Sequence, residues 1–162
     1  QIHNNIKYAV VQSGVGLDLG NSKNTGQFSE KRLVSMLDVC NKYNLLSKEH
    51  NGDFLTAKQI QDRFTLGLSA INIAPEFGQI ETKCYLDFMN DDEIDLFYHV
   101  CYNSGKWKKW VKEDFEPSKN KKQLINICGH YVFSLNSFKK IKINVDSQVK
   151  QNIKKRIREI HE

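Results

Sequence analysis

The chain has 162 residues, of which 40% are hydrophobic and 27% charged, with a formal net charge of +5. That is one domain's worth of chain, and its balance is that of a globular protein rather than a disordered or fibrous one. No apolar run approaches the roughly 20 residues of a bilayer span, so no membrane attachment is expected, and four cysteines without a CxxC pair suit a cytoplasmic protein. The first residues, Gln1-Ile2-His3-Asn4-Asn5, carry neither an initiator Met nor a signal-peptide core, and suggest a chain that starts mid-stream.

In chain order, Ile6 to Gln12 is a short apolar, β-rich run and a candidate buried strand. Ser13 to Phe28 is a Gly/Asn/Ser-rich loop, longer than a plain connection needs. It contains neither a P-loop nor a GxGxxG pattern, so it reads as a lid or surface loop, with phosphate cradling by backbone N–H groups as the sharper alternative. Ser29 is a plausible N-cap for a helix through Tyr43, with Leu33, Met36, Leu37 and Cys40 on one face. Leu45 to Lys48 is the next strand. Thr56 then caps a short helix carrying Ile60 and Phe64, which Gly67 stops. Leu68 to Ile73 is the third strand. Strand, helix, strand, helix, strand is the rhythm of a parallel sheet.

Past Gly78 the pattern turns helical: Ile80–Met89, Asp92–Tyr102 and Gln123–Tyr131 are expected helices, and Lys140–Val145 a short edge strand. The last helix starts near Asp146 and carries an apolar stripe of Val149, Ile153, Ile157 and Ile160. From Lys119 onward 11 Lys and Arg face 3 Asp and Glu. A basic tail suits an acidic partner or nucleic acid. The stripe instead predicts a docked helix with a solvated face, and no aromatics are interleaved as single-strand binding wants. Nucleic acid is therefore not the expected partner. Trp107 and Trp110 stand among Lys106, Lys108, Lys109 and Lys112, with indoles expected on the body and lysines outside. Cys40, Cys84, Cys101 and Cys128 form no CxxC pair and read as reduced, buried thiols.

The candidate site residues sit where strands end. Lys48-Glu49-His50-Asn51-Gly52-Asp53 packs a base, two acids, an imidazole and an amide into one strand-to-helix junction. His50 could be a general base or a metal ligand with Glu49 and Asp53 as outer-shell carboxylates, zinc being a suitable divalent ion. The plain alternative is a loop capping the next helix. Lys48 could hold a substrate phosphate, or pair with Glu49 or Glu76. Asn51 and Asn72 suit sugar hydroxyls, or satisfy their own turns. Glu76 could be an acid or base, or could sit near the positive end of a helix starting around Gln79. Gln12 ends the first strand and completes a set of three polar strand-end loops: Gln12–Gly14, Glu49–Asp53 and Asn72–Glu76. A (β/α)8 barrel places its chemistry on such loops.

Val10-Val11-Gln12-Ser13-Gly14, His50-Asn51-Gly52-Asp53-Phe54 and Ile71-Asn72-Ile73-Ala74-Pro75 come in an order and spacing that resembles a known family. Trp107-Lys108-Lys109-Trp110 and the Gly129–Val145 region extend the likeness over nearly the whole chain. The chain resembles the C-terminal half of the non-catalytic subunit of class II D-tagatose-1,6-bisphosphate aldolase, a TIM-barrel protein. The resemblance implies an α/β fold: the late strands of a partial TIM (β/α)8 barrel over residues 1–90, with a helical C-terminal extension over 91–162. It also implies an accessory role beside a catalytic aldolase subunit. The second reading is a self-sufficient aldolase or epimerase on a phosphorylated or acidic sugar, working as a homo-oligomer with a divalent metal. In it Glu49, His50, Asp53 and Glu76 would do the chemistry, and Gln12, Lys48, Asn51 and Asn72 would hold the substrate.

Overall fold

The protein is described here by a computed structural model covering residues 6–141 and 143–161. It is mixed α/β. Strands β1 (Tyr8–Val11), β4 (Leu46–Glu49) and β5 (Ala70–Ile71) form a parallel sheet in the order β1-β4-β5. A small antiparallel ribbon, β2 (Leu17–Asp18) with β3 (Lys23–Asn24), lies within the long loop after β1. The helices are α1 (Glu30–Lys42), α2 (Ala57–Thr65), α3 (Pro75–Phe88), α4 (Asp91–Ser104), α5 (Lys121–Cys128) and α6 (Asp146–His161). The chain separates into two compact units. One holds the residues up to Asp18, Ser22–Ala74 and Arg158 onward; the other holds Leu19–Asn21 and Pro75–Ile157.

In the first unit, side chains alternate across the strands as the period of two requires. Val11, Ala9 and Ile71 pack with Leu33, Leu37 and Cys40 of α1 and with Leu68. Tyr8, Val10 and Leu46 fall on the opposite face, where they are 42%, 63% and 41% exposed. The expected caps form. The Ser29 hydroxyl accepts from Arg32 N–H, and Thr56 with Gln59 makes a reciprocal capping box. Gly67 follows α2 with φ +104°, a left-handed stop that suits glycine.

Several expectations need correction. The third strand is only Ala70–Ile71, because the hydroxyls of Ser47 and Ser69 replace ladder bonds at its start. Ser69 N–H donates to Ser47 Oγ at 3.0 Å, and Ser47 N–H donates to Ser69 Oγ at 3.3 Å. Helix α3 begins at Pro75, not near Ile80. Proline is favoured at the first helical position, where no intrahelical N–H is lost, so Pro75-Glu76-Phe77-Gly78 is a first turn rather than a loop. In α2 it is Arg63, not Phe64, that is buried beside Ile60; Phe64 is 38% exposed. No strand forms at 140–145 among the described residues. A 3-10 turn at Phe138–Lys140 leads into buried Ile141 and Val145, which pack into the core instead of alternating on a sheet. Within the long Ser13–Phe28 loop, Leu17–Asp18 and Lys23–Asn24 pair as a short antiparallel ribbon.

The second unit is built around Phe97, Leu124, Ile125, Ile127 and Val132, all fully buried. Phe97 and Phe138 meet at 4.8 Å between ring centroids, and Tyr85 meets Phe138 edge-on at 5.1 Å. Gln79 Nε2–H donates to the carbonyls of Leu19 (2.8 Å) and Asn126 (3.1 Å), which satisfies a fully buried amide. All four cysteines are free and buried, as expected. Trp107 is buried, donates to the Tyr102 carbonyl at 3.1 Å and stacks on the Tyr102 ring. Among the described residues, no helix is long and apolar enough to cross a membrane.

Candidate functional site

Parallel register sets Val11 beside Glu49 and Glu49 beside Ile71. The segments that follow, Gln12-Ser13, His50–Asp53 and Asn72–Ala74, therefore adjoin at the carboxyl edge of the sheet. The three strand-end loops do gather at one edge, and backbone bonds join them. His50 N–H donates to the Val11 carbonyl (3.3 Å), Asn72 N–H to Glu49 (2.9 Å), and Gly52 N–H to Asn72 (2.9 Å).

What each side chain does there differs from residue to residue. Strand alternation turns Glu49 inward, and it is completely buried. Its Oε1 accepts from Ser13 N–H at 2.9 Å, and its Oε2 accepts from the Ser13 hydroxyl. Arg63 Nε lies 3.8 Å from the same Oε2. Arg63 donates to the Gln59 carbonyl and stacks its guanidinium 4.1 Å from the centre of the Phe28 ring. Burial is the main force pulling the Arg63 pKa below its ordinary value; Glu49 opposes it. Asp53 is also completely buried, and its Oδ1 accepts from Ala74 N–H at 2.8 Å. Glu76 belongs to the second unit. It is buried there against Arg156, whose Nε donates to Oε1 and whose second guanidinium nitrogen reaches Oε2 at 3.4 Å.

The remaining candidates are more open. The side chains of His50 and Gln12 are exposed, and those of Lys48, Asn51 and Asn72 are half-buried. Among the described residues, no three His, Cys, Asp or Glu side chains gather closely enough to hold a metal ion. A zinc at His50 would therefore need ligands beyond this set.

Sequence reasoning passed over Ser13, Arg63 and Asn24. Asn24 is the hub of the ribbon. Its Oδ1 accepts from Gly16 N–H (3.3 Å) and Gly26 N–H (3.1 Å), and its Nδ2 donates to the carbonyls of Asn51 and Asp53, both at 3.0 Å. The turn it grips is strained, with Asn51 at φ 61° and Phe54 at φ 60°. Asn tolerates the left-handed region; Phe does so at a cost of order 1 kcal/mol. Arg63 falls three residues after Ile60 on the apolar face of α2, where periodicity counts an arginine as solvent-facing.

His130 lies half-buried in the second unit. Burial first, then the nearby Lys109 charge, hold its pKa below the ordinary 6.5. A group whose folded pKa is depressed binds fewer protons folded than unfolded, so stability is lost as pH falls below about 6.5. Glu81 works the other way. Burial and Asp146 raise its pKa, so it disfavours the fold as pH rises through that raised value. Urea midpoints measured from pH 7 to pH 5 should therefore fall less in His130→Gln than in the parent. An unchanged slope would refute the assignment.

No family model matches the chain, and no curated protein does. Among solved structures, the chain is similar to a probable tagatose 6 phosphate kinase from Sinorhizobium meliloti 1021. The TM-score is 0.61 and the identity 15%, over 96% of this chain and 46% of that one. At that identity the likeness establishes a shared α/β fold, and the chain spans less than half the length of that protein.

Proposed function

We propose that this chain forms late βα units of a TIM barrel in a protein of sugar-phosphate metabolism, and that its role is accessory, supporting a catalytic aldolase subunit. The barrel reading draws on the sheet. All-parallel sheets are covered on both faces, yet Tyr8, Val10 and Leu46 are open on the face away from α1. Further strands closing the sheet would bury them. The sugar-phosphate reading draws on the resemblance above and on the name carried by the similar solved structure.

One observation carries the accessory role: the acids that would do chemistry are committed elsewhere. Glu49 is held by Ser13 and Arg63, Asp53 accepts from Ala74 N–H, and Glu76 is locked to Arg156. A general acid or base must be able to reach a substrate proton. Glu49 and Asp53 instead hold the strand-end loops, and Glu76 ties α3 to α6. The self-sufficient aldolase or epimerase keeps one supporting feature, the exposed His50 between half-buried Lys48 and Asn72.

The test is a reconstitution. The full-length protein should raise the activity and thermal lifetime of a tagatose-1,6-bisphosphate aldolase catalytic subunit, and His50→Ala should leave that support intact. Aldol cleavage by the protein alone, lost together with bound metal in His50→Ala, would overturn the accessory role in favour of the enzyme.

A further inference from the structure

We propose that Lys109, Trp110, His130 and Tyr131 form a binding site for a phosphate-type oxyanion. All four belong to the second unit, and the proposal does not depend on the barrel or aldolase reading. The Lys109 ammonium lies 4.8 Å from the centre of the Trp110 ring and 5.6 Å from that of Tyr131. Both rings are half-buried, so the charge rests on aromatic faces that strip part of its hydration. Lys58, Lys119 and Lys121 each pair with a carboxylate, whereas Lys109 has no such partner among the described residues.

His130 stands beside it. Its ring centre is 4.0 Å from that of Tyr131. Its position is fixed from behind by Gly78 in the first turn of α3, where an added Cβ would come within 2.7 Å of His130 Cβ. Only glycine leaves room for the ring. His130 Nδ1 is buried and has no hydrogen-bond partner among the described residues. A buried polar nitrogen without a partner is costly. A second cation beside Lys109 would be costlier still. An oxyanion answers both needs, because it accepts from the ammonium and from an imidazole N–H and offsets the charge of both. Phosphate suits the place better than a carboxylate, having more acceptor oxygens and a charge of roughly −1.5 to −2 near neutral pH. The first turn of α3 adds the positive end of a helix dipole nearby.

The experiment is a titration of the ¹⁵N-labelled full chain with inorganic phosphate, ionic strength being held constant with chloride. Saturable shifts of the Trp110 indole and His130 imidazole signals are expected, with a Kd of order 1 mM. The buried Trp107 indole should stay still, and the midpoint of the His130 titration should rise when phosphate is present. Lys109→Gln, at an exposed position, should keep the fold and weaken binding about tenfold or more. Shifts that grow linearly without saturating, or the same binding curve in Lys109→Gln, would overturn the site and reduce the cluster to a cation–π packing contact.

Discussion

Glu49→Gln should cost about 3–5 kcal/mol of folding stability, because it removes one partner of a fully buried ion pair and leaves the Arg63 charge uncompensated. Gln can still accept from Ser13 N–H, so the loss is chiefly electrostatic. Arg63→Met alone should be similarly harmful, since it strands the carboxylate. The double replacement should recover much of the loss, because two buried charges are then removed together and a side chain of comparable volume fills the space. Urea unfolding of the four proteins closes the cycle. Additive losses would mean that the two groups do not interact, and the reading of Glu49 as a structural anchor would then fail. If Glu49→Gln folds with nearly parental stability, Glu49 is not a structural anchor, and the accessory role loses its main support.

The elements set by local chemistry were legible in the sequence. Ser29 and Thr56 cap their helices, Gly67 ends α2, and the first two parallel strands lie within a residue or two of where the apolar runs put them. The gathering of three polar loops at one sheet edge followed from the βαβ rhythm alone. The partners of the candidate acids were not legible, for a common reason. Arg63 and Arg156 each occupy a helix face where hydrophobic periodicity expects an apolar residue, and each turns inward to neutralise a carboxylate. In α6 this leaves Ile157 of the expected stripe 42% exposed while Arg156 points in. Periodicity counts apolar residues and scores an arginine as solvent-facing. It cannot see that a glutamate distant in sequence makes the buried charge tolerable. Asn24 was invisible for a related reason. A lone Asn in a Gly-rich loop looks like turn chemistry, and its contacts with Asn51 and Asp53 lie 27 and 29 residues away.

That distance makes Asn24 the second critical test. Asn24→Ala removes four part-buried hydrogen bonds at once, two accepted from glycine N–H groups and two donated to the Asn51–Asp53 turn. At about 0.5–1.5 kcal/mol each, a loss of roughly 2–6 kcal/mol is expected. Asn24→Asp separates the two halves of the role: it keeps an acceptor for Gly16 and Gly26 but sets a negative charge against two carbonyl oxygens, so it should be no milder than Ala. The damage should also be local. Without the grip of Asn24, the left-handed conformations of Asn51 and Phe54 lose what holds them. Amide exchange should then accelerate at Gly16, Gly26 and Gly52 before it does in α1. His50 sits in the same turn, so its side chain should become disordered in step with those amides. If exchange rises uniformly through the first unit, or not at all, Asn24 is not the tie that sets the shape of the strand-end loop.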